Sequence, residues 1–209
     1  MHGGGEKQTT NFTDKPREET NMNEEIKLVD AVSDEHFAAM SKLHAEGWRT
    51  TYNGILTDDY LKREITDDHW IPVFRNNHAT GAAEGLIAYR GEKPVSCISY
   101  GPARLGIRPD GKPQDFDFSA YAGWGEIHSI YSDPGEVGKG YGNVIFEEAL
   151  RRLKAAGHKH CFVLVNAKKT LSIKFYADHG FTPDGTHMDW DYEGVICVNL
   201  RYCKELADD

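Results

Sequence analysis

Basic charge is what this sequence is shortest of: 24 Lys and Arg stand against 33 Asp and Glu, a formal net charge of −9 over 209 residues. That balance excludes a nucleic-acid binder working through a broad basic surface, and it mildly favours cationic partners at long range. No apolar run approaches the length of a membrane span, so no membrane partner is expected, and no hydrophobic segment of the kind that opens a signal peptide stands at the N-terminus. Cytoplasmic residence is the expectation. Cysteine is scarce too: Cys97, Cys161, Cys197 and Cys203 show no C-x-x-C spacing, which argues against a zinc ribbon or a disulfide framework. They read as buried free thiols in a reducing compartment. His158, Lys159 and His160 lack a third ligand at convincing spacing, so no metal is expected.

Residues 1–24 are polar and charged with little to bury, and are expected to form a disordered tail. Residues 25–206 are long enough for one domain with one core. Ile26–Val29 reads as a strand, and Ser33-Asp34-Glu35 as the capped start of a helix running towards Trp48, with Phe37, Met40, Leu43 and His44 on one stripe. A second helical segment begins at Asp58. Ala83–Arg90 and Val95–Tyr100 form a predicted hairpin, followed by a long insertion over residues 101–123.

The most informative stretch follows. Glu126–Tyr131 alternates as a strand, Ser132-Asp133-Pro134-Gly135 ends it, and from Val144 a helical stripe of Ile145, Ala149, Leu153 and Ala156 runs to a left-handed cap at Gly157. Glu147–Arg151 and Glu148–Arg152 are spaced as i,i+4 ion pairs. Cys161–Val165 is a continuous apolar run, as in a strand buried on both faces, giving a right-handed β-α-β unit with parallel strands. A short helix from about Lys169 to His179 places Leu171 and Phe175 inward on one line and Ser172 and Tyr176 on another. Met188–Tyr192 and Val195–Tyr202, joined through Glu193-Gly194, close the sheet as a hairpin.

Between strand and helix lies Val137-Gly138-Lys139-Gly140-Tyr141-Gly142-Asn143. Alternate glycines expose successive main-chain N–H groups at a helix start, where unpaired donors and the positive dipole end attract an anion such as phosphate. A P-loop would need Ser or Thr after Lys139, and Gly140 stands there. A dinucleotide fingerprint beginning at Gly138 would need glycine at Asn143 and an acidic residue where Asn166 ends the next strand.

The segment resembles motif A of the GNAT superfamily of acyl-CoA-dependent N-acyltransferases, Q/R-x-x-G-x-G/A, with Gly140 and Gly142 in the glycine positions and Val137 replacing Gln/Arg. Phe175-Tyr176-Ala177-Asp178-His179-Gly180-Phe181 is similar to motif B, F-Y-x-x-x-G-F. The order of elements resembles the family over about residues 26–204. The resemblance implies an α/β (α+β) GNAT fold, a mixed central sheet of about six to seven strands flanked by about four helices. It also implies acetyl-CoA as co-substrate. The loop Val137, Gly138, Lys139, Gly140, Tyr141, Gly142 and Asn143 would hold the diphosphate, while Ile130, Tyr131 and Ser132 would meet the pantetheine arm like an added strand at a bulge. Lys169 stands where relatives carry an asparagine, so either Asn166 or the Lys169 ammonium would replace that contact.

Moving an acetyl group from a thioester to an amine requires a neutral amine and a protonated leaving sulfur. The resemblance places Tyr176 beside the sulfur as proton donor. Glu126 and His128, two apart on one strand face, are the candidates to take the amine proton, Glu126 first. The Ile130 N–H would polarise the thioester carbonyl. Trp48 and Tyr52 either cover the core where two helices meet or enclose the acceptor with cation–π attraction, and both readings stay open. The activity implied is N-acetylation of a primary amine, with a small molecule favoured and a peptide or protein acceptor as the alternative. A non-catalytic acyl-CoA-binding or regulatory module stays open through Val137 and Lys169. So does a homodimer.

Overall fold

The computed structural model describes Met1 and residues 26–104 and 119–206. The predicted tail and most of the 101–123 insertion lie outside the described residues. Among the described residues seven strands form one sheet in the order β1-β2-β3-β4-β5-β7-β6, with β1 Ile26–Asp30, β2 Glu84–Arg90, β3 Lys93–Pro102, β4 Gly125–Ser132, β5 His160–Asn166, β6 Thr182–Tyr192 and β7 Val195–Glu205. Among the described residues five α-helices accompany it: α1 Asp34–Thr51, α2 Asp58–Glu64, α3 Ile71–Thr80, α4 Tyr141–Ala155 and α5 Thr170–Asp178.

Side-chain alternation along the central strands explains why helices cover both faces. In β2, Leu86 and Ala88 join a cluster with Ile145, Phe146 and Ala149 of α4, whereas Ile87 between them joins Phe37, Met40 and Leu43 of α1 and Phe74 of α3. Ile98 and Cys97 of β3 divide in the same way. A strand buried on both sides has no polar face, as the sequence of β5 also shows.

Local chemistry sets the helix ends. Ser33 Oγ accepts from the His36 N–H at 3.3 Å, and Asp34 and Glu35 lie in the first turn, where the dipole favours them. Gly140, at φ 89°, forms the N-cap of α4, which starts one turn earlier than the apolar stripe alone indicates. Glu148 takes both Arg151 and Arg152, each at 2.7 Å.

Four expectations need correction, the first being the Glu147–Arg151 pair, since Arg151 turns to Glu148 one turn back instead. The helix α3 was not foreseen, although Pro72 lies in its first turn and Gly81, at φ 68°, caps its end. Only Phe74 of α3 is buried, so its apolar periodicity is weak. Leu171 is exposed rather than inward, and Tyr176 is the buried residue of α5, because a helix of nine residues carries too short a stripe to fix its rotation. Cys203 is half-buried, unlike the other three thiols.

The feature that makes a site is a parting of strands. β4 and β5 pair in parallel only from Gly125–Cys161 to Ile127–Val163, yet β4 continues to Ser132 and β5 to Asn166. Just there the β3–β4 register slips from Tyr100–Ile127 to Ser99–Ser129, leaving His128 as the extra residue of a bulge. The bulge bends β4 away, and the open wedge between the strands exposes main chain with no strand partner.

Gly47 of α1 fixes the ring that closes one side of this wedge. A Cβ there would stand 2.2 Å from Cδ1 of Tyr131, so the helix can approach β4 only with glycine at this turn. Gly47→Ala is predicted to destabilise the fold by about 1–3 kcal/mol through overpacking. Thermal unfolding would show a lowered Tm; an unchanged Tm would contradict this packing.

Candidate active site

A cavity of about 550 Å³ fills the wedge and extends in both directions. That volume suits a drug-sized ligand rather than a macromolecular groove. One end is the glycine loop, from Pro134 to Asn143; the middle is β4 from His128 to Ser132 facing Leu164–Asn166 of β5; the far end is walled by Trp48, Tyr52, Trp70, Trp190 and Tyr192.

The loop end is built for an anion. Gly138 and Gly140 have φ of 85° and 89°, which turns the chain so that it enters α4 sharply. Among the described residues the N–H groups of Gly138, Gly140, Tyr141 and Gly142 have no protein acceptor. Gly142 is helical, and a Cβ added there would meet only ordinary contacts, Ser132 Oγ at 3.8 Å and Phe175 Cε2 at 3.9 Å. The fold itself therefore tolerates a side chain at 142, and glycine instead keeps the cavity surface open to close approach of a ligand. Around the loop, Glu136 is held by Lys139 at 2.8 Å, Arg90 at 3.1 Å and Lys93 at 3.2 Å, and Lys93 also meets Asp133 at 2.7 Å. Among the described residues Arg90, Lys93 and Lys139 thus surround Glu136 beside the loop. Val137, exposed at 68 %, adds main chain but no charge.

In the middle, Tyr131 turns its ring to the α1 side, against Gly47 and 4.4 Å from the His44 ring centroid. Ile130 packs on the α4 side, and Ser132 Oγ shares a hydrogen bond with Ser96 Oγ at 3.0 Å. Tyr176 lines the cavity from α5, its ring fixed among Phe146 at 5.8 Å, Phe175 at 5.5 Å and Phe181 at 6.2 Å. Burial pushes its phenol well above its ordinary pKa, so it remains protonated at any working pH and can donate. Asn166 lines the cavity as well, although its Oδ1 already accepts from the Lys168 N–H at 2.9 Å.

Glu126 is not at the surface of the cavity. It is buried, and Arg104 grips it through Nη2, through Nε at 3.1 Å and through its main-chain N–H at 2.9 Å. Burial alone would raise its pKa, but the Arg104 charge and hydrogen bonds outweigh burial and hold it below the usual carboxylate range. A carboxylate so engaged does not face an acceptor directly. His128 does line the cavity, with Nε2 at 3.3 Å from the Pro102 carbonyl oxygen and 3.7 Å from Glu126 Oε2. Two oxygens beside Nε2 place the ring hydrogen there and leave the lone pair on Nδ1. Burial first, and the Arg104 charge second, lower the His128 pKa to about 4, so the ring is neutral at pH 7.

In the aromatic end, Trp48 and Tyr52 pack into the core and also line the cavity. Tyr52 is buried with Leu56, Leu61 and Cys197, and the two rings stack at 4.3 Å while lining the cavity. Lys169, which stands where relatives carry an asparagine, has its Nζ 3.5 Å from the centroid of the Tyr52 ring. His44 and Trp190, which sequence reasoning did not assign to the site, also line the cavity, and their Nδ1 and Nε1 are buried without a hydrogen-bond partner among the described residues. His44 was visible only as part of an apolar stripe.

Comparison with known proteins places this geometry. The model of the acetyltransferase (GNAT) family matches residues 37–181, so the chain belongs to that family. Comparison with curated proteins returns no match by sequence. Among solved structures, the PaiA N-acetyltransferase of Thermoplasma acidophilum in complex with coenzyme A is similar at TM-score 0.64 and 18 % identity, over 87 % of this chain and 99 % of that one. The yncA protein of Salmonella typhimurium with its cofactor acetyl-CoA is similar at TM-score 0.62 and 15 % identity, over 88 % and 95 %. A ribosomal-protein-alanine N-acetyltransferase from Brucella melitensis is similar at TM-score 0.63 and 18 % identity, over 86 % and 98 %. At these identities the likeness is one of fold.

The Arg104–Glu126 pair carries its own prediction. Because folding lowers the Glu126 pKa, the pair adds stability above the ordinary carboxylate value of about 4 and loses it as pH falls through the lower folded value. Arg104→Met strands a buried carboxylate and should cost about 3–5 kcal/mol at pH 7. That loss should shrink as the solution is acidified and Glu126 is protonated. Denaturant unfolding across pH checks it; an equal loss at all pH values would contradict the pairing.

Proposed function

We propose that the protein is an N-acetyltransferase that moves the acetyl group of acetyl-CoA to a primary amine by direct attack on the thioester. The observation that carries this reading is the wedge between β4 and β5, with unpaired loop N–H groups at one end and the Tyr176 phenol inside. Solved relatives of the same fold hold coenzyme A or acetyl-CoA.

In this reading the N–H groups of Gly138, Gly140, Tyr141 and Gly142 hold the diphosphate, with Lys139 and its neighbours supplying positive charge. Main chain of Ile130, Tyr131 and Ser132 pairs with the amide groups of the pantetheine arm, as an added strand would. A main-chain N–H at Ile130 stabilises the oxyanion, and Tyr176 protonates the leaving sulfur. The amine proton passes to Nδ1 of His128, while Glu126, 3.7 Å behind that ring, stabilises the imidazolium. Glu126 is then a positioning residue, and Arg104 fixes it in turn.

Incubation with acetyl-CoA and a panel of amines, followed by free-thiol release, tests the activity; coenzyme binding without acceptor-dependent thiol release would overturn it. Tyr176→Phe should lower kcat about a hundredfold while coenzyme affinity, measured by calorimetry, changes little. Equal turnover would remove Tyr176 from the mechanism. Because His128 stays neutral above pH of about 4, kcat/KM should climb with pH as the acceptor loses its own proton, without an inflection between pH 6 and 7. An inflection there that vanishes in His128→Gln would contradict this assignment.

A further inference from the structure

Resting on the acetyltransferase reading, we infer the class of acceptor: a short amine that carries its own anionic oxygen group, as an amino acid does, with that group held by Lys169 and Trp190.

Lys169 brings a cation into the aromatic end of the cavity and gives it no counter-charge. Its Nζ lies over the Tyr52 ring at 3.5 Å and 5.7 Å from the Tyr131 centroid, and it has no hydrogen bond or carboxylate partner among the described residues. Among the described residues the one carboxylate lining the cavity, Glu136, is at the loop end and already meets Arg90, Lys93 and Lys139. Burying an ammonium in this way is unfavourable unless something else compensates. Burial lowers the Lys169 pKa to about 7, the sign of an ammonium lacking that compensation.

A second unmet donor lies on the same side. Trp190 of β6 is directly opposite Cys197 of β7, so their side chains share a sheet face. Cys197 packs in one cluster with Tyr52, the ring over which the Lys169 ammonium lies. The Trp190 Nε1–H, buried and without an acceptor among the described residues, thus belongs to the Lys169 neighbourhood. Two donors without acceptors, one of them charged, call for an anion.

The same contact excludes the opposite class. The Tyr52 face, which would bind a substrate cation, is taken by Lys169, and a second positive charge would be repelled. Polyamines are therefore disfavoured despite the acidic chain. The anion must also lie near the amine. Tyr52, on which Lys169 lies, lines the same cavity as Tyr176, so acceptor charge and reacting centre share one enclosed space.

The test uses the full-length protein with acetyl-CoA and matched acceptor pairs: an amino acid, its phosphonate analogue, and the amine left when the anionic group is deleted. The wild type should prefer an anionic member by about ten- to hundredfold in kcat/KM, the worth of a charge-assisted hydrogen bond. The better of the carboxylate and the phosphonate names the source of the anion. Lys169→Met should erase that preference chiefly through KM, and Lys169→Arg should restore part of it. Equal use of the members, or a preference untouched in Lys169→Met, would overturn the inference while leaving the acetyltransferase reading in place. So would stoichiometric acetylation of Lys169 itself by acetyl-CoA alone, since its charge would then be consumed. Failure of every amine tested to release thiol would sink both.

Discussion

Everything in this molecule turns on where two parallel strands stop pairing. β4 and β5 share three residue pairs and then diverge, and neither strand is short of residues with which to continue. The bulge at His128 bends β4, and the pairing of β5 with β7, which persists to Asn166–Asn199, holds β5 in place. Unpaired main chain inside a protein is costly unless a partner arrives, so a wedge of this kind is built for something that brings amide groups of its own.

The two faces of the sheet then divide the labour. On one side α4 buries Ile145, Phe146, Ala149 and Leu153 and aims its N-terminus, with its unpaired donors, at the cavity. Phe146 also carries the rings of Phe175 and Tyr176, so the helix that presents the anion site positions the phenol as well. On the other side α1 delivers Trp48 and Tyr52, and its approach is possible because Gly47 yields room to Tyr131. The loop end and the aromatic end are thus set by different helices across a shared strand. Charge follows the same division: the cluster of Lys139, Lys93 and Arg90 on Glu136 stands at the loop, and the Lys169 ammonium stands among the rings.

What the sequence made legible was local. The glycine loop, the caps at Ser33 and Gly157, the buried run of β5 and the turn at Glu193-Gly194, where φ reaches 52° and 88°, are each fixed by residues a few positions apart. What was not legible depends on residues far apart in the chain. Arg104 reaches Glu126 across 22 positions and an irregular stretch, and this contact turns a candidate base into a group behind the site. Lys169 sits on Tyr52, more than a hundred residues earlier, so its facing could not be read from motif B. The helix α3 was missed for another reason: its amphipathic signal is weak because it covers Phe37 and His44 with little more than Phe74, leaving capping residues as the evidence.

The central claim is that the wedge and the loop receive one extended ligand, diphosphate at the α4 N-terminus and amide arm along β4. Titrating coenzyme A into isotope-labelled protein and following main-chain amide resonances tests this directly. The account predicts that Gly138, Gly140, Tyr141 and Gly142 shift together with Ile130, Tyr131 and Ser132 at a common affinity. Shifts confined to other surfaces, or a loop that responds while β4 stays unchanged, would contradict it.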